Sequence, residues 1–453
     1  MTPRLDAIRE CLEGAVPGIM ATCAADGTPN VAYLSQTEYV DGQHIALSYQ
    51  FFNTTRRNIL ANPEARLIVT HPHTGERFRL RLRYLRTETA GPLFERMKAK
   101  LAGIASHTGM SGVFRLLGSD IYRVFEIERI PGAALAPPPP RASLLAALRA
   151  VSARIACCRE LDLLFSDTLD ELEAHFDIHH AMVLLLDGAG TRLYTIASRG
   201  YEASGVGSEI PLGHGVIGVA AREGTPIRIG YATLEYAYGR AIRAAAEANG
   251  LGAALETEIP LPGLADSASQ LAVPIRAAGR LLGVLYVESP HNLRFGYDDE
   301  DALVALAAQL GATMLALQHA GESSEEAVVA DVSPPAFEGR PVLVRHYAED
   351  DSVFLDDDYL IKGVAGSIFW ALVRDHVEAG RDTFSNRELR LDPRVRLPDL
   401  SDNLEARLIL LRRRLDERQA PVRLVKAGRG RLRLCTSRPL TLVEAGSGST
   451  ACC

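Results

Sequence analysis

Four consecutive prolines, Pro137–Pro140, constrain the fold of this chain more than any other feature. Proline lacks a backbone N–H and has a fixed φ, so this run favours an extended segment and cannot continue a helix or a central strand. A second break, residues 321–339, is acidic, rich in small residues and contains two further prolines. The sequence therefore predicts three domains, at 1–131, 142–320 and 340–445, joined by linkers at 132–141 and 321–339 and followed by a flexible tail at 446–453.

The composition is that of an ordinary globular protein. Hydrophobic residues make up 47% of the chain and charged residues 23%, and the net charge of −7 excludes a uniformly basic nucleic-acid binder. The N-terminus has no apolar signal core, and the longest apolar helical stretch, Ala302–Leu317, is interrupted by Gln309. The seven cysteines match neither a disulfide scaffold nor metal-site spacing. We expect a cytoplasmic protein with no membrane contact and no metal site.

The first predicted domain is rich in strands. Gly18–Cys23 and His44–Tyr49 have strand patterns, and Asp41-Gly42 before the second of them is a strong hairpin signal because glycine adopts positive φ freely. Asn53–Ala61 has the pattern of a short helix that ends at Asn62-Pro63. No nucleophile or acid–base set is visible, so no catalytic residue is predicted in this domain.

The stretch GTPNVAYLS, followed by IALSYQFFNTTRRNILANPEARLIV, resembles the flavin-binding β split barrel of the pyridoxamine 5'-phosphate oxidase family. The resemblance implies that FMN is the cofactor and that a strand end and the following helix hold its phosphate, which suits hydroxyls and guanidiniums at a helix N-terminus. Thr54 or Thr55 stands where family members carry a lysine, and the alternative is a barrel with an empty or altered pocket. The matching positions are Ser48, Tyr49, Thr54, Thr55, Arg56, Arg57 and Asn58.

The second predicted domain begins with two helices and ends with a hairpin and a helix. A helix over Leu144–Ile155 is expected to continue past Cys157–Cys158. Gln270–Arg276 and Arg280–Ser289 form a predicted hairpin, and Asp298–Leu317 a closing amphipathic helix with acidic residues at its N-terminus. The apolar stripes of the first and last helices exceed what one sheet face needs, so we expect a two-fold homodimer.

The stretches GHGVIGVAAREGTPIRI and LAVPIRAAGRLLGVLYVES resemble a GAF domain. The resemblance implies an α/β sandwich that binds a small molecule beside its sheet, without naming the ligand. The segment Thr233–Leu264 is expected to line that pocket, although a surface helix packed on the sheet is the alternative. Its candidate ligand residues are Tyr236, Tyr238, Arg240 and Arg243.

Charge separates the third predicted domain from the rest. Between Ser385 and Leu434, fourteen basic residues face seven acidic ones, a balance of +7, so the remainder carries −14. A helix is predicted from Asp356–Tyr359 to about Ala379, then a short helix capped by Ser385 with Glu388, and then a helix over Asn403–Glu417. The final stretch, LILLRRRLDERQAPVRLVKAGRGRLRL, resembles the winged helix-turn-helix of OmpR-type response regulators, which implies DNA binding.

A helical wheel of Asn403–Glu417 places its leucines at 404, 408, 411 and 415 in the core. Ala406, Ile409 and Leu410 lie on the outward side, which favours phosphate contacts over base readout. The alternative is that this basic face docks on the acidic body of the chain or on a partner protein. The candidate DNA-binding residues are Arg407, Arg412, Arg413, Arg414, Lys426, Arg429 and Arg431.

Together these patterns predict a multidomain α+β regulator: a split barrel and a GAF sandwich that sense small molecules or redox state, and a winged-helix output on DNA. Two alternatives remain open, an FMN-dependent oxidoreductase with an accessory GAF domain and a protein–protein signalling adaptor. A non-enzymatic role is favoured because no acid–base set is visible.

Overall fold

The computed structural model describes residues 4–445, apart from 13–15, 35, 51–52, 108–114, 140, 142, 231–258, 323–339, 396, 398–403 and 429. Within this part of the chain the strands form four sheets, of seven, six, four and three strands. We describe them as an N-terminal unit (4–131), a central unit (141–322) and a C-terminal unit (340–445). The predicted pocket residues Tyr236, Tyr238, Arg240 and Arg243, and the predicted wing residue Arg429, lie outside the described residues.

The N-terminal unit is a seven-stranded antiparallel sheet in the order β2-β1-β5-β6-β7-β4-β3. In the long strand Arg77–Glu88, buried and exposed side chains alternate. Phe78, Leu80 and Leu82 point into the core, while the arginines between them are exposed. A 3₁₀ helix, Leu5–Leu12, packs against the same core. The other elements are β1 (Gly18–Cys23), β2 (Pro29–Leu34), β3 (Thr37–Asp41), β4 (His44–Tyr49), α1 (Asn53–Ala61), β5 (Glu64–Thr70), β6 (Arg77–Glu88), α2 (Pro92–His107) and β7 (Gly118–Ile130).

The central unit is a six-stranded sheet with helices on both faces. Its elements are α3 (Leu144–Ala156), α4 (Leu161–Phe176), β8 (His180–Leu186), β9 (Arg192–Arg199), β10 (Glu209–Pro211), α5 (Gly215–Glu223), β11 (Ile227–Ile229), β12 (Ser269–Ala277), β13 (Arg280–Ser289) and α6 (Tyr297–Glu322). The strand order is β10-β9-β8-β13-β12-β11. Alternate residues of β8 face opposite layers: Val183 and Leu185 pack with α3, α4 and α6, and Met182 and Leu184 with α5. Because helices cover both faces of this sheet, its strands are apolar along most of their length instead of alternating with polar residues.

Helix α6 is the one described helix that is long and apolar enough to span a membrane, judged by length and composition over Tyr297–Gln318. Its apolar side packs inside the fold. Leu303, Leu306, Leu310 and Met314 are buried in the core beneath the central sheet. Burial in this core therefore accounts for part of its apolar composition, since 39% of the apolar window is buried.

The C-terminal unit combines a four-stranded sheet with three helices and a three-stranded sheet. Its elements are β14 (Val342–Tyr347), β15 (Ser352–Leu355), β16 (Asp358–Ile361), α7 (Gly363–Ala379), β17 (Thr383–Ser385), α8 (Asn386–Leu391), α9 (Leu404–Glu417), β18 (Val422–Lys426), β19 (Arg431–Thr436) and β20 (Leu440–Ala445). The last strand returns to pair with β14 in parallel. Ser385 and Glu388 form the predicted capping box at α8.

The N-terminal unit is attached to the central unit by a buried cluster of charges around Tyr297. Lys100 Nζ lies 3.1 and 3.2 Å from the two carboxylate oxygens of Glu38, which is 3% exposed. Arg228 Nε donates to Glu300 at 2.8 Å, and both guanidinium and ammonium groups lie near the Tyr297 ring. Burial alone would lower the pKa of Lys100, but the charges of Glu38 and Glu300 outweigh it and hold that pKa above its ordinary value. Tyr297 makes contacts that join the two units, because its hydroxyl donates to the Leu12 carbonyl at 3.2 Å and its ring lies beside Lys100.

Most predicted elements are present, with two corrections. The helix predicted from Asp356 begins only at Gly363, because Asp356 takes a positive φ in a turn and Leu360 and Ile361 are buried in strand β16. The first helix of the central unit ends at Ala156 instead of continuing past Cys157–Cys158, since Cys157 already caps it.

Candidate functional sites

Arg56, at the predicted phosphate site, is held inside the N-terminal unit. Its Nη1 lies 2.6 Å from Asp120 Oδ1 and 2.6 Å from Thr87 Oγ1, and its guanidinium lies over the Tyr49 ring. Burial raises the pKa of Asp120, and the hydrogen bond from Thr87 and the charge of Arg56 oppose that rise. Arg56 thus has a structural partner 64 positions away, where the sequence predicts a phosphate contact.

The other predicted phosphate residues divide into an inward and an outward set. Thr55 Oγ1 accepts from Asn30 Nδ2 at 2.9 Å, and Asn58 Nδ2 donates to Thr22 Oγ1 at 3.2 Å. Both side chains therefore point inward and bond to strands β1 and β2. Ser48 is also buried. Thr54 and Arg57 are exposed on the first turns of α1 and lie 3.3 Å apart, from Arg57 Nη2 to Thr54 Oγ1.

This arrangement fits one end of FMN. A hydroxyl and a guanidinium exposed beside a helix N-terminus are suitable donors for a phosphate dianion. The pocket beside them, lined by Ser48, Tyr49, Thr55 and Arg56 among others, has a volume of about 10 Å³. That is the space of about one water molecule, so this pocket has no room for an isoalloxazine ring.

In the central unit, a buried carboxylate lies next to the segment predicted to line the ligand pocket. Glu288, near the end of β13, is 2% exposed. One of its oxygens accepts from the Leu264 backbone N–H at 3.0 Å and the other from the Tyr286 hydroxyl at 3.2 Å. Burial, followed by the nearby charge of Glu288, raises the pKa of Tyr201. No ion pair in the described part of the chain involves Glu288. The sequence analysis did not identify this residue, because a lone glutamate in an apolar strand belongs to no motif.

In the C-terminal unit, the arginines of α9 contact the central unit. Arg413 Nε donates to Asp162 Oδ1 at 2.8 Å, and its two Nη atoms reach the Ile196 carbonyl and Ser166 Oγ, both at 2.8 Å. Arg412 also pairs with Asp162. Both arginines are therefore engaged by helix α4 and strand β9 through charge-assisted hydrogen bonds.

The two remaining arginines of α9 are buried. The Arg407 guanidinium lies 4.1 Å from the centre of the Tyr194 ring, and the residue is 7% exposed. Arg414 Nε donates to the Leu360 carbonyl at 3.0 Å, and its Nη1 lies 2.7 Å from Glu417 Oε2. On the hairpin, Lys426 Nζ lies 2.9 Å from Glu160 Oε1, whereas Arg431 is exposed.

The outward face that the helical wheel assigns to α9 is corrected by the structure. Ala406, Ile409 and Leu410 are all less than 5% exposed. They are buried because this side of α9 packs on helix α4 and strand β9 of the central unit, and the two units share one continuous apolar core. A wheel of one helix identifies the first buried stripe but not a second one that another unit covers.

Comparison with known proteins identifies the first two units. Residues 5–120 match the family model for pyridoxamine 5'-phosphate oxidase, and residues 160–314 match that for the GAF domain. Both resemblances predicted from the sequence are thereby confirmed. Neither of these models extends beyond residue 314, so the winged helix stays a prediction.

Among solved structures, the GAF domain of an Acinetobacter phosphoenolpyruvate-protein phosphotransferase is 21% identical and covers 40% of this chain and 96% of its own, with a TM-score of 0.30. The free methionine-R-sulfoxide reductase of Neisseria meningitidis is 21% identical over 41% of this chain and 98% of its own, with a TM-score of 0.31. An FMN-binding protein of Syntrophomonas wolfei is 15% identical and covers 28% of this chain and 86% of its own, with a TM-score of 0.25. No curated protein matches the chain. The chain carries a pyridoxamine 5'-phosphate oxidase-like domain followed by a GAF domain.

Proposed function

We propose that this protein is a sensory regulator whose C-terminal unit is a winged-helix output, held inactive on the GAF domain. The order of helix α7, short helix α8, helix α9 and hairpin β18–β19 supports a winged helix, in which α9 is the recognition helix. The two preceding domains supply the sensing. Regulation by contact between domains then requires no catalytic residue.

The observation that carries this proposal is the pairing of Arg412 and Arg413 with Asp162. The sequence assigns both arginines to DNA phosphates, and a guanidinium that donates to a carboxylate has fewer N–H donors left for a phosphate. The docked arrangement therefore competes with DNA for the same donors. A signal that favours separation of the two units would raise DNA affinity, to the extent that it binds the separated state more tightly.

The GAF domain is the proposed input site, and Glu288 is the residue that indicates the chemistry of its ligand. A carboxylate in a buried position normally has a cation or several hydrogen-bond donors. Among the described residues, the Leu264 backbone N–H and the Tyr286 hydroxyl donate to it, and the Tyr201 hydroxyl also interacts with it. A ligand with a positively charged group would add a cationic partner to this carboxylate.

The N-terminal domain is proposed to bind FMN through Thr54 and Arg57, with the flavin ring outside the small pocket beside Ser48. Two exposed donors at the helix N-terminus support the phosphate contact. We also propose a homodimer, supported by exposed leucines on the helical layer of the central unit: Leu145 on α3 is 76% exposed and Leu163 on α4 is 53% exposed.

The test of the output is Asp162→Asn in the full chain. This change leaves the two arginines without their carboxylate, weakens docking, and should raise affinity for a 20-base-pair duplex about tenfold at low salt, measured by fluorescence anisotropy. Asp167→Asn is the matched control, because it removes the same charge from the same helix but breaks an ion pair with Arg154 inside the central unit. Equal DNA affinity of the two variants would contradict the proposal.

The same docking contact also favours a second candidate function, a protein-interaction module. Helix α9 already recognises a carboxylate and an apolar protein surface in this chain, as an adaptor would on a partner. If neither the wild-type chain nor Asp162→Asn binds duplex DNA at low salt, the adaptor function replaces the DNA-binding one.

A further inference from the structure

A cavity of about 140 Å³ lies between the central and C-terminal units. Its walls come from the start of α4 and the end of α6 on one side, and from α8, α9 and the hairpin β18–β19 on the other. Leu161, Ile409 and Leu424 form a buried apolar wall, whereas charged side chains line much of the remainder. Apolar cavities of about 150 Å³ are known to hold a benzene molecule, so this one has room for a small organic ligand.

Among the described residues, four cationic side chains and three carboxylates line the cavity. Two of the cations are held by two of the carboxylates, because Lys426 Nζ lies 2.9 Å from Glu160 Oε1 and Arg412 pairs with Asp162. Asp162 also pairs with a second guanidinium, that of Arg413, at 2.7 Å. These two carboxylates are therefore already neutralised by cations of the chain.

The third carboxylate, that of Glu405 on the first turn of α9, is half-buried and lies among positive charges. Burial raises the pKa of Glu405, and the charges of Lys426, Arg390 and Arg412 act in the opposite direction. The negative charge of Glu405 is therefore offset by several cations of the C-terminal unit. None of the three carboxylates that line the cavity requires a cation from outside the chain.

Arg159 and Arg431 are the two lining cations that remain. Both are exposed, and in the part of the chain that the structure describes neither side chain forms a hydrogen bond or an ion pair. Arg159 precedes α4 on the central unit, and Arg431 begins β19 on the C-terminal unit, so each unit contributes one of these guanidiniums to the lining. Guanidinium groups form strong, often bidentate hydrogen bonds with carboxylates and phosphates.

We propose that this cavity binds a small organic anion, with its carboxylate or phosphate on Arg159 and Arg431 and its apolar body against Leu161 and Ile409. The unpaired guanidiniums favour an anion over an amine, because an ammonium group would meet only carboxylates that cations of the chain already neutralise. Since the two guanidiniums belong to different units, the bound anion bridges them and stabilises the docked arrangement by linkage. This inference concerns the docked chain and does not depend on whether the output acts on DNA.

The test is calorimetric titration of the full chain with four compounds that share one ring: phenyl phosphate, benzoate, benzyl alcohol and benzylamine. At least one of the two anions should bind and raise the Tm, and the tighter of them identifies the preferred acidic group. Benzyl alcohol and benzylamine should each bind at least about tenfold more weakly than that anion, because neither accepts a charge-assisted bond from a guanidinium. Equal binding of either one, or no binding of any of the four, would overturn the proposal.

Variants of the full chain assign the site. Arg159→Gln and Arg431→Gln each remove one unpaired guanidinium, and each should lower the affinity for the tighter anion about tenfold while the affinity for benzyl alcohol stays the same. Arg418→Gln is the matched control, because Arg418 is another exposed arginine without an ion pair among the described residues but does not line the cavity, so its loss should change nothing. Unchanged anion affinity in both Arg159→Gln and Arg431→Gln would overturn the proposal.

Discussion

Arg413 and Asp162 are 251 positions apart in the chain, and their side chains meet with 2.8 Å between Nε and Oδ1. The contact joins the helix that carries most of the predicted DNA-binding arginines to the first turn of a GAF-domain helix. Through this contact, the basic helix α9 docks on an acidic residue of the central unit. The predictions below test this arrangement and the sites on either side of it.

The salt dependence of DNA binding distinguishes phosphate contacts from base readout. If about four basic residues of the released Asp162→Asn chain contact phosphates, the log–log slope of affinity against salt should be about −3.6. Arg431→Ala in that background removes one exposed contact, so the slope should become less steep by about one and all sequences should weaken alike. Loss of affinity for one sequence alone would indicate that Arg431 reads a base.

Arg56 and Arg57 should behave differently toward FMN despite being adjacent. Arg57→Ala should weaken FMN binding about ten- to a hundredfold, measured by quenching of flavin fluorescence, because its guanidinium is exposed at the helix N-terminus. Arg56→Ala should chiefly lower the Tm, since it leaves Asp120 buried without its cation. A chain that takes up no added FMN would refute a flavin role for the N-terminal domain.

Glu38→Gln should strongly destabilise the N-terminal unit at the side that faces the central unit. The change removes the carboxylate to which the buried Lys100 is hydrogen-bonded, and breaking one side of a buried pair typically reduces the free energy of unfolding by about 3–5 kcal/mol. Urea denaturation measures the loss. Glu64→Gln is the control, because its pairs with Arg81 and Arg83 are exposed and should contribute less than about 1 kcal/mol.

Acid should destabilise the charge cluster around Tyr297 through Glu300. Burial would raise the pKa of Glu300, but the charges of Lys100 and Arg228 outweigh it and lower that pKa below its ordinary value of 4.5. A group with a lowered folded-state pKa stabilises the fold above its unfolded pKa, and that stabilisation is lost as the pH falls through the folded value. Denaturation midpoints should therefore drop as the pH falls below about 4.5, and Glu300→Gln should flatten this dependence. A drop of the same size in the variant would assign the acid effect to other groups.

Light scattering tests the proposed dimer. At micromolar concentration the chain should have twice the mass of one chain, and Leu145→Lys should halve it by placing a charge on the pairing face. Leu391 is 74% exposed on the C-terminal unit, so Leu391→Lys is a control that should leave the mass unchanged. A monomeric wild-type chain would contradict the proposal.

Local patterns in the sequence determined the elements whose causes are local. The sequence predicts a hairpin between Gln270–Arg276 and Arg280–Ser289, and in the structure Ala278 and Gly279 take positive φ in the turn between β12 and β13. The capping box of Ser385 with Glu388 places the start of α8 to the residue. In β6 the alternation of arginines with apolar residues predicts which face is buried. Each of these signals acts over a few residues, so neighbouring side chains carry all the information needed.

The tertiary structure alone decided which partner each charged group takes. The sequence assigns Arg56 to a phosphate and Arg413 to DNA, and the structure gives them Asp120 and Asp162. It also buries Ile409 and Leu410 on a second apolar face that a single-helix wheel reads as outward. A guanidinium forms the same bonds with a phosphate and with a carboxylate, so residue type does not distinguish the two. The partner of each guanidinium depends on which distant carboxylate is brought within about 3 Å of it. That distance is set by how strands, helices and whole units pack against one another.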